Sequence, residues 1–228
     1  DDWLLAQGWD HYTGWVSRSQ VVVSDEAYAG DVLALDYYGL ILNEEGNRPP
    51  RPITQGARLK TVESNRTLVV ELPDGTRGNY SGRWTSENLS PTPENIVQTT
   101  KSFLGIPYIW GGRSPWGFDC SGLIQTIFSR CGITLPRDAG LQKEFLRQAI
   151  IAPEEAEPGD LFFFSRGQKI THVGLALGNN QILHAQGWVR IESLDATMPD
   201  ANPDLINRLN AICSTQTLQN GLSSEPGS

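Results

Sequence analysis

The chain has 228 residues, with 18 Lys plus Arg against 26 Asp plus Glu and a formal net charge of −8. That length allows one large domain or two small ones, at roughly 100–200 residues each. With 39% hydrophobic residues there is enough apolar material for a core, which excludes disordered, collagen-like and coiled-coil chains. The negative charge speaks against nucleic acid and anionic membrane surfaces as partners, and no apolar stretch approaches the roughly 20 residues of a membrane span. Three widely spaced Cys offer neither a disulfide scaffold nor a CxxC zinc knuckle. The expectation is an acidic, soluble, globular protein, and a first residue that is Asp rather than Met fits a processed or truncated form.

In chain order, Trp3 to Val23 reads as two strands around Tyr12-Thr13-Gly14-Trp15-Val16, too short to bury a core alone. Strand-like runs follow at Leu33–Leu35, Tyr38–Leu42, Arg58–Val62 and Thr67–Leu72, separated by turn signals. Asp74-Gly75 is a hairpin dipeptide, because Gly accepts the positive φ of a tight turn. Short strands rich in Gly and Pro predict a small β-barrel over residues 25–90, with residues 1–24 as the end of another such module. Trp15 and Trp84 are expected to plug barrel cores. Ser90-Pro91-Thr92-Pro93 resists both helix and central strand, so residues 91–94 read as a linker.

Beyond the linker the period changes. Ile96, Val97, Thr100, Phe103 and Leu104 have helical spacing and stop at Gly105. A second helix is predicted over Cys120–Cys131, with Leu123, Ile124, Ile127, Phe128 and Cys131 on one face and Gly132 beyond it. A third covers Gly140–Ala149. Strands follow at Gly159–Phe164, His172–Leu177 and Gln181–Ala185, and the tail 214–228 has nothing to bury. The second half, 95–213, is thus α+β: helices first, then an antiparallel sheet.

Cys120 stands where a Gly-rich loop (Gly111-Gly112) leads into an amphipathic helix. A thiol there feels the positive end of the helix dipole, which favours thiolate, and such a nucleophile needs a base that is itself oriented by a third group. The chain has only three His. His172 begins one apolar strand and His184 ends the next, on either side of Gly178-Asn179-Asn180. With an odd number of loop residues centred on Gly178 the two face each other on one side of the sheet; an even loop puts them on opposite faces. His11 and Cys131 read as surface packing and core thiol, and Cys213 as a partly exposed bystander. Asp119 reads as an N-cap of the Cys120 helix, Arg137 as the partner of an unspecified carboxylate, and Trp110 and Trp116 as walls of a groove.

The order Tyr-x-Trp-Gly-Gly (from Tyr108), Asp-Cys-Ser-Gly (from Asp119), Leu-Pro-Arg-Asp (to Asp138), Gly-Asp-Leu-x-Phe-Phe, His-Val-Gly (from His172) and Ile-Leu-His-Ala (around His184) resembles NlpC-type bacterial cell-wall cysteine peptidases. The resemblance covers roughly residues 95–200 and implies a papain-like α+β domain. It further implies Cys120 as nucleophile, His172 as general base, His184 as its orienting group and Tyr108 as an oxyanion donor. The motifs around Tyr12 and Gly78–Trp84 resemble bacterial SH3-like modules. Together they are similar to γ-D-glutamyl-L-diamino-acid endopeptidases. That likeness implies muropeptide or stem-peptide substrates with a free N-terminal L-Ala, a site for the ammonium at Asp119 with Ser121, Asp138 and Tyr12 nearby, Trp110 at the groove, and no metal or organic cofactor. The sequence departs from that pattern in lacking the early strands of a first module and in carrying Ala139 after Asp138. It leaves open diaminopimelate or lysine as third residue, and cell envelope or cytoplasmic recycling as location.

A papain-like acyltransferase or amidase needs an apolar channel or membrane anchor, and neither is in the sequence; a non-catalytic wall-binding protein does not need the intact Cys120, His172 and His184. A metal site fails because no two ligands share a chelating motif.

Overall fold

The computed structural model describes residues 2–64 and 67–220. The chain divides into two compact units, Asp1–Asn88 and Leu89–Ser228.

The N-terminal unit is built from strands, with a 3-10 turn at Arg18–Gln20. β1 (Trp3–Gln7) and β2 (Thr13–Ser17) form a two-stranded antiparallel hairpin, with Leu5 opposite Trp15. His11 takes up the left-handed φ of 62° in its turn. β3 (Val32–Ala34), β4 (Tyr38–Asn43), β5 (Arg51–Thr54), β6 (Arg58–Ser64), β7 (Leu68–Glu71), β8 (Arg77–Tyr80) and β9 (Trp84–Thr85) build one sheet of order β5-β4-β8-β7-β6-β3-β9. The Asp74-Gly75 hairpin forms as the dipeptide predicts: Gly75 has φ 75°, and the Asp74 carboxylate accepts the N–H of Thr76. Val32, Ala34, Ile41, Leu59, Leu68, Val70, Leu72 and Tyr80 make its core. Two expectations change here. Among the described residues no ladder joins β5 to β9, so the sheet does not close into a barrel. Trp15 and Trp84 are exposed rather than core plugs, because the core is filled by the smaller side chains of alternating strand positions.

In the second unit, α1 (Pro93–Lys101) starts on Thr92, whose hydroxyl accepts the N–H of Asn95, with Pro at its first position where no N–H is needed. A short hairpin, β10 (Arg113–Ser114) and β11 (Gly117–Phe118), leads into α2 (Cys120–Arg130), and α3 (Ala139–Phe145) follows. Then come β12 (Ile150–Ile151), β13 (Leu161–Arg166), β14 (Lys169–Gly178), β15 (Gln181–Gln186), β16 (Trp188–Ser193), α4 (Pro203–Arg208), β17 (Leu209–Cys213) and α5 (Gln216–Asn220). The six strands form an antiparallel sheet of order β12-β17-β13-β14-β15-β16.

This sheet is covered on both faces. Leu161, Phe163, Val173, Leu175 and Leu183 pack with Ile96, Leu123, Ile127 and Phe128 of the helices. Phe162, Phe164, Ala176 and Ile182 meet Leu205 of α4 and Ile212 on the other face. Burial on both sides is why Leu161-Phe162-Phe163-Phe164 is a continuous apolar run and does not alternate. The tail does not begin at residue 214 as predicted. Thr215 is fully buried, its N–H donating to the Asp160 carboxylate at 2.9 Å and its hydroxyl to the Gly159 carbonyl at 3.1 Å. Cys213, expected to be partly exposed, is buried by the same closure. Residues 221–228 of the predicted tail lie outside the described residues.

Candidate active site

α2 begins at Cys120 because Asp119 caps it: one carboxylate oxygen accepts the N–H of Gly122 at 2.7 Å. The other accepts the N–H of Gly111 at 2.9 Å, while the Asp119 N–H donates to the Gly112 carbonyl. The Gly-rich loop is thereby stapled to the helix start. Gly122 is required for this, since a Cβ there would overlap the Gly112 carbonyl oxygen. Around the Cys120 sulfur lie the backbone N–H groups of Cys120, Ser121 and Val173, the last of these the residue after His172 on β14.

These N–H groups favour thiolate, but they do not decide the outcome. Burial first, and the Asp119 charge second, push the Cys120 thiol up to about 11. The helix-start argument therefore misses the sign: the cap that builds the helix N-terminus is itself an anion beside the sulfur. His172 is held down to about 3, by burial first and then by the charges of His184 and Arg208. In the free protein the Cys120 thiol and the His172 imidazole are both neutral.

The two histidines share one face of the sheet, but not by the route that loop parity predicts. The turn contains two residues, Asn179 and Asn180, with φ of 51° and 57°. An even loop alone would put the histidines on opposite faces. A bulge between Ala176 and Gly178 supplies the missing residue. The register Leu175↔Leu183 and Ala176↔Ile182, carried one pair further, puts His184 opposite Gly174 rather than opposite His172. The histidines are diagonal neighbours, with His172 Nε2 and His184 Nδ1 2.8 Å apart and the rings near perpendicular at 86°.

The diagonal continues across the next strand. His184 pairs with Arg190 and Ile182 with Glu192 on β16, so Arg190 and Glu192 lie on the same face as His184. Glu192 Oε2 lies 2.9 Å from His184 Nε2 and accepts from Asn202 Nδ2, and its Oε1 pairs with Arg190 at 2.7 Å. Glu192 was missed in the sequence. The alternation Trp188-Val189-Arg190-Ile191-Glu192 beyond Gly187 is the signal that could have found it.

Tyr108 is half-buried. Its hydroxyl is raised above the ordinary phenol value by burial first, then by Cys120 and Asp119, with Arg137 opposing, so it stays a proton donor near the sulfur. The carboxylate partner expected for Arg137 is Asp119. The guanidinium lies bidentate on Asp119 and also donates to Ser121 Oγ at 3.1 Å, with both ion-pair partners 11% exposed. Asp119 accordingly accepts from Gly111, Gly122, Ser121 and both Arg137 nitrogens. A carboxylate offers about four acceptor positions, so this one is filled. Asp138 precedes α3 without a side-chain cap bond, and its charge acts on Arg137. Trp110 is 88% exposed on the loop after Tyr108. Tyr12 belongs to the other unit, in the turn of its β1–β2 hairpin. Among the described residues no three His, Cys, Asp or Glu are grouped to hold a metal, and no helix is long and apolar enough to cross a membrane.

Residues 105–205 match the model of the NlpC/P60 family. The chain is 32% identical over 189 residues to a gamma-D-glutamyl-L-lysine dipeptidyl-peptidase of Bacillus cereus, an alignment that takes in 76% of this chain but only 56% of that one. It is 29% identical over 234 residues to dipeptidyl-peptidase 6 of Lysinibacillus sphaericus, covering 93% of this chain and 84% of the relative. Its fold superposes on the crystal structure of an NlpC/P60 family protein from Bacillus cereus with a TM-score of 0.79 and 26% identity, over 93% of this chain and 76% of that one. The chain therefore carries an NlpC/P60 domain, and the thiol and the two diagonal histidines lie within it.

Proposed function

We propose that this protein is a cysteine endopeptidase that cleaves the γ-D-glutamyl–L-diamino-acid bond of peptidoglycan stem peptides. The observation that carries the reading is the hydrogen-bonded pair His172–His184, on the strand whose Val173 N–H reaches the Cys120 sulfur. The relative named a gamma-D-glutamyl-L-lysine dipeptidyl-peptidase supports the bond class, and the one named dipeptidyl-peptidase 6 supports a peptidase.

The chemistry is acyl transfer through a thioester. His172 takes the Cys120 proton as sulfur attacks the γ-glutamyl carbonyl, so that thiolate forms only in the act of bonding. The N–H groups at the start of α2 and the Tyr108 hydroxyl stabilise the oxyanion. Imidazolium then returns its proton to the leaving amine as the C–N bond breaks. Water, deprotonated by His172, hydrolyses the thioester and frees Cys120.

The finer parts of the proposal are a requirement for a free N-terminal L-Ala, recognised on the NlpC/P60 unit with Ser121 and Asp138, an SH3-like character for the N-terminal sheet, and Trp110 as a substrate contact. Incubation with L-Ala-γ-D-Glu-diaminopimelate and with its N-acylated form, read by mass spectrometry against a Cys120→Ala blank, tests this. Release of the diamino acid from the free form alone supports the whole reading. Equal release from both removes the amine requirement, and release from neither removes the peptidase.

A further inference from the structure

We propose that Glu192 is a positioning residue that sets the proton positions on both histidines and so leaves His172 Nδ1 free to act as the base. The inference rests on the peptidase reading for its consequence, but not for its structural content.

The argument is one of donors and acceptors. An ionised carboxylate only accepts. Burial opposes ionisation of Glu192, but the hydrogen bonds from His184 and Asn202 and the charge of Arg190 outweigh it and hold its pKa below the ordinary value. Across the 2.9 Å contact, His184 Nε2 must therefore carry the proton. His184 is assigned a single ring proton, at Nε2, so its Nδ1 is bare and accepts. Across the 2.8 Å contact, His172 Nε2 must then donate, and His172 Nδ1 is left with its lone pair. One charge on β16 thus fixes two tautomers on β15 and β14.

The surroundings of Glu192 make a carboxylate the only side chain of its shape that fits. Arg190 is a permanent donor at Oε1. Asn202 is held as a donor at Oε2 because its own amide oxygen caps α4 by accepting the N–H of Leu205 at 3.1 Å. A glutamine at 192 has to turn its NH2 group either towards Arg190 or towards Asn202 and His184. Permanent positive charge at Arg190 draws the amide oxygen, so the NH2 faces His184. His184 then accepts at Nε2 and carries its proton on Nδ1, His172 accepts at Nε2, and the His172 proton moves to Nδ1, where the lone pair is needed. The same logic applies when an aspartate behind a catalytic histidine is replaced by asparagine.

The test is nitrogen NMR of the full chain labelled with 15N-histidine, alongside steady-state kinetics on the free tripeptide. In the native protein both His172 and His184 are expected to show protonated Nε2 and bare Nδ1. In Glu192→Gln, His184 is expected to show the proton on Nδ1, with kcat about 10–100-fold lower and KM within about twofold. A native His184 protonated at Nδ1 overturns the proposal whatever the activity, and needs no variant to fold. So does a folded Glu192→Gln protein that keeps the native tautomers, or one that changes them while kcat holds. If the native protein cleaves no stem peptide, the peptidase reading falls, and the tautomers still decide the role of Glu192.

Discussion

Gly174 lies directly across the β14–β15 ladder from His184, and a Cβ at 174 would stand 3.3 Å from the Cβ of His184 and 3.1 Å from Ile182 Cδ1. The isoleucine tip can swing aside. His184 cannot, because its two ring nitrogens are held at 2.8 and 2.9 Å by His172 and Glu192 and its side chain is fully buried. Gly174→Ala is therefore expected to displace the imidazole by a few tenths of an ångström. Stability falls by about 1 kcal/mol from overpacking, while kcat falls about tenfold because orientation is lost. Thermal melts beside kinetics separate the two; a variant with full kcat shows that the histidine tolerates the shift.

The pH dependence follows from burial. In the proposed mechanism the working form is neutral His172 with protonated Cys120. His172 is depressed to about 3, so the base gains its proton only as pH falls towards that value, and not at the 6.5 or so of a free imidazole. Cys120, raised to about 11, keeps its proton through the neutral range. The expectation is that kcat/KM at about pH 5 retains most of its neutral value, where an ordinary imidazole would be almost wholly protonated. An acid limb centred near 6.5 in the kcat/KM profile would show that His172 is far better solvated than its setting implies.

The sequence carried the parts of the site that rest on local chemistry. The Asp-Cys-Ser-Gly run predicts a capped helix start, and the cap is there. Helices with one apolar face and the Asp-Gly turn were also readable. What was hidden depends on register. The two histidines share a face only because a bulge offsets an even turn, and no residue pattern announces a bulge at Leu177. Glu192 was hidden, and so was the choice of Asp119 as the carboxylate that pairs with Arg137, because each depends on a partner distant in sequence. The barrel failed as a prediction because alternation fixes which face of a strand is buried, and says nothing about whether the first and last strands meet.

Arg137 and Asp119 form an ion pair with both side chains 11% exposed, so removing the cation leaves a buried carboxylate with only the donors at Gly111, Gly122 and Ser121. Arg137→Met is expected to cost about 3 kcal/mol, in the range for breaking a buried pair from one side. Adding Asp119→Asn removes the orphaned charge while keeping an N-cap, and is expected to restore part of the loss. Urea denaturation of the single and double variants measures this. If the two losses simply add, the pair is not coupled and Asp119 is less enclosed than its donors indicate.

Tyr108 isolates the oxyanion step. Its hydroxyl stays a phenol at neutral pH because burial and the nearby Cys120 and Asp119 all disfavour phenolate. A donor that meets charge only in the transition state contributes to kcat and little to KM. Tyr108→Phe keeps the ring and its packing, so kcat is expected to fall about 100-fold, as for other single oxyanion donors, with KM little changed. Alkylation of Cys120 by iodoacetamide forms no oxyanion and is expected to proceed at the native rate. A variant slowed equally in both reactions assigns Tyr108 to the thiol and not to the carbonyl oxygen.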